Sequence, residues 1–335
     1  MKIGVVGAGG WGTALAKLLT ENDHQVMLWS YEKETMTEIN QSHTNQRYLS
    51  GVKLPEKLIA SNDPGEVTAR AELITFVVPS QWLRSTANLF ASFISPSMLI
   101  VNAGKGIEIE TLKPLTQVLR EELAVPDHQI VALSGPNHSE EVSRQVPSAT
   151  VVASPDLTIA ESAQEAFFSP YFRVYTSLDR LGVEIGGALK NVFAMAAGIC
   201  EGLDYGDNTK AALVTRALAE MRRLGETMGA QPLTFSGLSG LGDLFVTAAS
   251  RHSRNAWAGR EIGKGRDINE VLASTPMVVE GVPTTKAAYD LSKKFQVELP
   301  IIEKMYHILF KGHSPQEAVE ELMTRERRRE IESIF

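Results

Sequence analysis

Gly7, Gly9 and Gly12 stand in the order Gly-Ala-Gly-Gly-Trp-Gly, after the apolar run KIGVV and before the alanine-rich TALAKLL. In a strand–turn–helix, the first glycine permits a tight turn and the second lets backbone approach a pyrophosphate. The third lets the helix lie close on the strand, and the helix N-terminus turns its free N–H groups to the phosphates. A glycine-rich turn without a ligand is the plainer alternative; the flanking strand and helix favour a dinucleotide. The next apolar run, Gln25–Trp29, is followed by Ser30-Tyr31-Glu32-Lys33. NAD enzymes usually carry an Asp or Glu at this strand end for the ribose hydroxyls. Ser30 supplies no charge and Lys33 could meet a 2′-phosphate, while Glu32 and Glu34 argue the other way. The balance favours acceptance of NADP, alongside NAD.

Two lone charges interrupt long uncharged stretches. Between Glu184 and Glu201 the one charged residue is Lys190; between Gly229 and Arg251 it is Asp243, after closely spaced glycines. Burial disfavours an ammonium and lowers its pKa, which makes a lysine a usable acid or base near neutrality. A buried carboxylate needs a cation, and Lys190 is the candidate partner. A lysine snorkelling to a domain edge and a purely structural ion pair remain the alternatives. Asn191 could add a hydrogen bond to a substrate hydroxyl.

Arg251-His252-Ser253-Arg254-Asn255 reads as a helix start. Guanidinium, hydroxyl and amide groups beside free N–H groups suit a phosphate, with a solvated cap as the alternative. Lys105 and the segment Ser134-Gly135-Pro136-Asn137 each follow a candidate strand, where ligands bind in open α/β sheets. No His, Cys, Asp or Glu grouping has metal-ligand spacing, and no nucleophile-elbow motif occurs, so no metal is expected.

These residues need a scaffold to hold them. The 335 residues allow two packed domains. Apolar runs at 2–7, 25–29, 73–78, 98–101, 130–133 and 149–153 alternate with helical patterns, which predicts a doubly wound parallel sheet over residues 1–180. Residues 181–335 then read as all-helical, with helices expected over 183–199 and 210–228. Ser314-Pro315-Gln316-Glu317 carries an N-cap serine, a first-turn proline and a capping-box glutamate, and the terminal TRERRRE run reads as a solvated helix face. A net charge of −7 and pI near 5.6 argue against nucleic acid or an anionic membrane as partner. A single cysteine, Cys200, excludes an internal disulfide and points to a reducing compartment. No uncharged apolar run reaches the ~18 residues of a membrane span, so a cytoplasmic protein is expected.

The segments GAGGWGTALA, VNAGKGIE, LSGPNHSEEV, EIGGALKNV, GLSGLGDLFVT, Ser253–Asn255 and VEGVPTTKAA together resemble the bacterial NAD(P)-dependent glycerol-3-phosphate dehydrogenases, almost end to end. The resemblance implies a Rossmann-type domain followed by a helical domain of the 6-phosphogluconate dehydrogenase C-terminal type. It further implies NAD or NADP as coenzyme, a homodimer, a cytoplasmic role supplying glycerol 3-phosphate for phospholipid synthesis, and a catalytic group of Lys190, Asp243 and Lys105. Lys190 would be the general acid/base, with Lys105 and Asp243 shaping the site. Substrate contacts would come from Lys105, Gly135, Asn137, Lys190, Asn191, Asp243, Thr247, Ser253, Arg254 and Asn255. Coenzyme contacts would come from Gly7, Gly9, Gly10, Trp11, Gly12, Ser30, Tyr31, Lys105, Ser139, Arg254, Val279 and Glu280. The chain departs from the family pattern at Gly10 and Gly104, where members often have Ser or Thr. It departs again at Asn137-His138-Ser139, commonly Ser-Phe-Ala, and just after the second strand, where many carry a basic residue. Two other readings fit the motifs less fully: a reductase of another keto or hydroxy acid on the same architecture, and a non-catalytic NADPH sensor.

Overall fold

The computed structural model describes residues 1–250, 253–275, 277–327 and 329–330. Eight strands form one sheet: β1 (Lys2–Val6), β2 (Gln25–Trp29), β3 (Ile59–Ser61), β4 (Leu73–Phe76), β5 (Leu99–Asn102), β6 (Ile130–Ser134), β7 (Ser148–Ala153) and β8 (Phe172–Ser177). Their spatial order is β3-β2-β1-β4-β5-β6-β7-β8. Every pair is parallel except β6 with β7, where Ala132 faces Ala153 in antiparallel register. The parallel expectation holds for the first six strands, and the sheet gains two strands the apolar runs did not show. β3 is three residues long, and β8 alternates buried and exposed positions, so neither produces a continuous apolar run.

Helices α1 (Gly10–Glu21), α2 (Lys33–Ser42), α3 (Pro64–Thr68), α4 (Leu83–Phe90), α5 (Leu115–Glu122), α6 (Ser139–Val142) and α7 (Leu157–Phe167) lie among these strands. The sheet buries both faces. Ile3, Val5, Leu73 and Val101 pack towards α1 and α7, while Ile74, Phe76 and Ile100 pack towards α4 and α5. Such two-sided burial is why these strands read as unbroken apolar stretches. The order reverses between β1 and β4, and the crevice beyond their C-terminal ends is where open α/β sheets take ligands.

Among the described residues eight further α-helices follow: α8 (Arg180–Gly202), α9 (Asp207–Met228), α10 (Asp243–Ala249), α11 (Arg254–Gly263), α12 (Ile268–Ala273), α13 (Gly281–Phe295), α14 (Pro300–Lys311) and α15 (Pro315–Met323). By length and mean hydropathy α8 could cross a membrane, but it is wholly buried within the fold. It is the axle of the helical part. Asp179 caps it, accepting from the Gly182 N–H at 2.9 Å, and with its other oxygen accepts from Gln231 N–H at 2.9 Å and Thr234 Oγ1 at 2.6 Å.

α11 crosses α8 at backbone contact. A Cβ on Gly198 would lie 2.0 Å from the Ala256 carbonyl, and one on Gly259 would lie 2.0 Å from that of Met195. Only glycine permits this approach, and it carries residues 253–255 up to Lys190 and Asn191. Ser314 accepts from the Glu317 N–H as the capping pattern predicts. The described residues of the TRERRRE run, however, are not helical: α15 ends at Met323, and 324–327 and 329–330 are irregular.

Candidate active site

A cleft of about 760 Å³, within the range of small-molecule sites, runs between the sheet's C-terminal edge and the helical layer. Its walls include Gly7 to Gly12, Tyr31, Lys105, Asn137, Ser139, Lys190, Asn191, Thr247, Ser253, Arg254, Asn255 and Glu280. Residues expected from distant segments therefore meet in one place.

The glycine turn fits a dinucleotide. Gly7 takes φ +116°, and a Cβ there would lie 2.5 Å from the Val77 carbonyl, while one on Gly12 would lie 1.9 Å from the Gly7 carbonyl. At Gly9 nothing lies within 4 Å of a Cβ position, so the missing side chain leaves open space for a phosphate. Gly9 is also the N-cap of α1 with no side chain satisfying the first N–H groups, so these point into the cleft as donors.

At the other end of the cleft Lys190, 7% exposed, is held by a carboxylate with no exposure at all. Lys190 Nζ donates to Asp243 Oδ1 at 2.5 Å and to Thr247 Oγ1 at 2.8 Å. Lys105 Nζ donates to Asp243 Oδ2 at 2.5 Å and to the Gly135 carbonyl at 2.9 Å. Two ammonium groups thus share one carboxylate. Burial pushes Lys190 down to about 8, against the pull of Asp243 and with the repulsion of Lys105. Asp243 is pushed up by burial, but the two ammonium groups outweigh that and hold it below its usual value. Two of the three Lys190 donors are engaged among the described residues, leaving one for a cleft oxygen.

Around this centre, Ser253 caps α11 by accepting from the Ala256 N–H at 3.1 Å. Arg254 is exposed in the cleft and donates to the Val278 carbonyl at 3.3 Å; it has no carboxylate within ion-pair distance among the described residues. The Asn255 carbonyl oxygen accepts from the Gly281 N–H at 2.9 Å, which fixes its amide to donate to Asn191 Oδ1 at 2.9 Å. Among the described residues the Asn191 amide nitrogen has no other partner, which leaves its two donors for the cleft. The Asn137 amide is spent on β7, donating to the Ala149 carbonyl at 3.0 Å and accepting from Thr150 Oγ1 at 3.0 Å. Glu280 accepts from Ser80 through both backbone N–H (2.8 Å) and hydroxyl (2.5 Å), tying the sheet half to the start of α13; burial pushes this carboxyl up against those bonds.

Not every expected residue faces the cleft. Ser30 is fully buried, Val279 packs into the helical core, and Gly135 and Asp243 lie behind the lysines they hold. Arg251 and His252 fall outside the described residues.

Residues 2–160 match the family model described as NAD-dependent glycerol-3-phosphate dehydrogenase N-terminus, and residues 179–320 match the corresponding C-terminus. The chain belongs to the NAD-dependent glycerol-3-phosphate dehydrogenase family. Family members named glycerol-3-phosphate dehydrogenase [NAD(P)+] from Shouchella clausii and Bacillus licheniformis are 48% and 49% identical to it; the alignments cover 100% and 99% of this chain and 99% and 97% of those chains. A crystal structure of the glycerol-3-phosphate dehydrogenase from Coxiella burnetii superposes with a TM-score of 0.92 at 35% identity, covering 97% of this chain and 99% of that one. Coenzyme chemistry in this family is that of NAD(P).

Among the cleft residues of this family member that were not expected as contacts, Glu32, Tyr48 and His138 bring titratable side chains. His138 sits beside the lysine, and burial first, then the Lys190 charge, holds its imidazole below the usual value. Glu32 had been weighed as a charge but not as a wall, because it lies inside the loop after β2. Tyr48 carries no motif, so no signal in the sequence could have selected it.

Proposed function

We propose that this protein interconverts sn-glycerol 3-phosphate and dihydroxyacetone phosphate by NAD(P)-linked hydride transfer. The observation that carries the reading is Lys190, buried against Asp243 and Thr247 with one donor left for the cleft that the glycine turn also lines. The activity for which the relatives are named, glycerol-3-phosphate dehydrogenase, supports the same reaction.

When bound, the reduced coenzyme supplies a hydride to the ketone carbon, C2. As charge gathers on the C2 oxygen, the Lys190 ammonium donates a hydrogen bond and then its proton to that oxygen, giving the alcohol. Fixed charge of this kind is commonly the largest catalytic contribution. Asp243 positions Lys190 and Lys105 and balances their charge. Arg254, with the N–H groups at the start of α11, takes the substrate phosphate, and Asn191 orients a hydroxyl. Asn255 acts through Asn191, and Asn137 and Gly135 shape the wall behind them. Anchoring the phosphate away from C2 fixes the near-attack geometry.

The division into a coenzyme part (1–180) and a substrate part (181–335), a homodimer, a cytoplasmic location and the supply of glycerol 3-phosphate to phospholipid synthesis belong to the same proposal. The deciding assay follows nicotinamide absorbance with NADPH and NADH separately, using dihydroxyacetone phosphate and, as control, unphosphorylated dihydroxyacetone. Oxidation with the phosphorylated ketone alone is the expected result; folded protein that binds coenzyme yet oxidises it with neither ketone would overturn the reaction.

A further inference from the structure

The coenzyme half of the cleft contains a carboxylate held in a fixed place. Ser30, directly after β2, is turned away: its hydroxyl donates to the Glu32 carbonyl at 2.9 Å, its N–H donates to the Ser61 carbonyl at 3.0 Å, and its carbonyl accepts from Asn62. Two residues on, Glu32 lines the cleft together with Tyr31 and Tyr48. The Tyr48 hydroxyl donates to Glu32 Oε1 at 2.6 Å. Burial, reinforced by the Glu32 bond and charge, pushes that phenol up to about 12, so it remains a donor throughout the working pH range. Among the described residues the second oxygen of Glu32 accepts no hydrogen bond.

The tyrosine is itself anchored to the glycine turn. Asn45, wholly buried, donates to the Ala8 carbonyl at 2.9 Å and to Thr13 Oγ1 at 2.8 Å, and accepts from the Tyr48 N–H at 3.3 Å. The Tyr48 carbonyl lies so close to Gly10 that a Cβ there would stand 2.7 Å from it. Glu32 is therefore held relative to the phosphate-binding turn rather than free to swing out. Two cations are near in sequence, Lys33 and Arg47. Neither lines the cleft, and the Arg47 guanidinium lies over the Tyr48 ring, 5.1 Å from its centre.

We infer that Glu32, fixed by Tyr48, is the coenzyme-selecting residue of this chain and that it favours NADH over NADPH. The inference rests on the dehydrogenase reading above for its reaction, but not for its binding test. A carboxylate at this end of a dinucleotide cleft accepts from ribose hydroxyls. The same carboxylate opposes the two negative charges of a 2′-phosphate, and a pinned one cannot retreat. Selectivity of this sort needs a repulsive group as well as an attractive one, and Glu32 supplies both.

The test is coenzyme binding to the full chain without substrate, by titration calorimetry, beside steady-state kinetics with dihydroxyacetone phosphate. The expected wild-type result is a dissociation constant for NADH at least ~10-fold below that for NADPH, the scale of one misplaced like charge. Glu32→Gln removes most of that gap, chiefly by tightening NADPH, and Tyr48→Phe narrows it without removing the carboxylate. Equal or tighter NADPH binding in the wild type overturns the inference, as does an unchanged ratio in Glu32→Gln. Should Glu32→Gln lose its melting transition, an unchanged ratio in Tyr48→Phe overturns it instead. A selective loss of NADPH binding in Arg47→Ala would also overturn it, by making Arg47 the phosphate ligand. Selective binding without ketone turnover would sink the dehydrogenase reading and leave the role of Glu32 standing.

Discussion

At the scale of single residues, Lys190 has the sharpest consequences. Its ammonium is pushed down to about 8 by burial. The protonated form serves ketone reduction and the neutral form serves alcohol oxidation. Reduction should therefore fall as pH rises through about 8 while oxidation rises, read as kcat/KM, which reports groups of the free enzyme. Lys190→Ala should lower turnover at least ~100-fold, the usual scale for a positioned acid. Arg254→Ala should chiefly raise KM for the phosphorylated ketone while leaving coenzyme turnover at saturation closer to normal. Near-normal turnover in the lysine variant, with a wild-type pH profile, would remove it from the chemistry. Both residues were legible as candidates: Lys190 as a lone charge in a long apolar run, Arg254 within the polar cluster at a helix start. Asn255 was legible as a site residue but not in its part, because only the Gly281 N–H bound to its carbonyl reveals which way its amide points.

At the scale of elements, the crossing of α8 and α11 decides whether there is a site at all. Their glycines allow backbone contact at Gly198 and Gly259, and that contact sets the distance from Arg254 to Lys190. Gly198→Ala places a methyl 2.0 Å from the Ala256 carbonyl, where the rigid partner cannot yield cheaply. A loss of about 1–3 kcal/mol is expected, as for other overpacked cores, together with a raised KM for dihydroxyacetone phosphate. Gly206→Ala is the control: nothing lies within 4 Å of its Cβ position, so it should lose only the preference of the α9 N-cap for glycine over alanine, about 0.5–1 kcal/mol, with KM unchanged. Equal melting temperatures for the two variants would show that the crossing tolerates more space than the geometry allows. These glycines are visible in the chain, but their pairing is not.

At the scale of the whole molecule, stability should depend on pH through buried carboxyls that link elements far apart in sequence. Glu220 of α9 accepts from the Ile301 N–H at 2.7 Å and the Ile302 N–H at 3.2 Å, closing the N-terminus of α14. Burial outweighs those bonds and pushes it up to about 7. A carboxyl raised on folding contributes stability that is fully present below its unfolded value near 4.5 and lost as pH rises through about 7. The loss between pH 5 and 8 is on the order of 3 kcal/mol, and Glu184 and Glu280, also pushed up by burial, act with the same sign. Denaturation of Glu220→Gln over that range should show a flatter pH dependence than the wild type. A slope identical to the wild type would mean that Glu220 titrates with its unfolded value.

The sequence by itself determined the class of the molecule and its chemistry. Gly-x-Gly-x-x-Gly after a strand permits few backbone paths, lone charges in apolar runs demand partners, and cations with a hydroxyl and an amide at a helix start suit an anion, so the glycine turn, Lys190, Asp243 and Arg254 could be named as candidates in advance. Long apolar runs likewise marked the buried parallel strands and α8. Only the tertiary structure decided what depends on contacts across distance. It put β7 antiparallel to β6 and added the short β3 and half-exposed β8, whose pairing comes from neighbours rather than from their own apolar pattern. It gave Lys105 and Lys190 one shared carboxylate, turned Ser30 into the interior, and brought Tyr48 onto Glu32. Local sequence carries the propensity of each segment; which groups finally meet follows from how the segments pack.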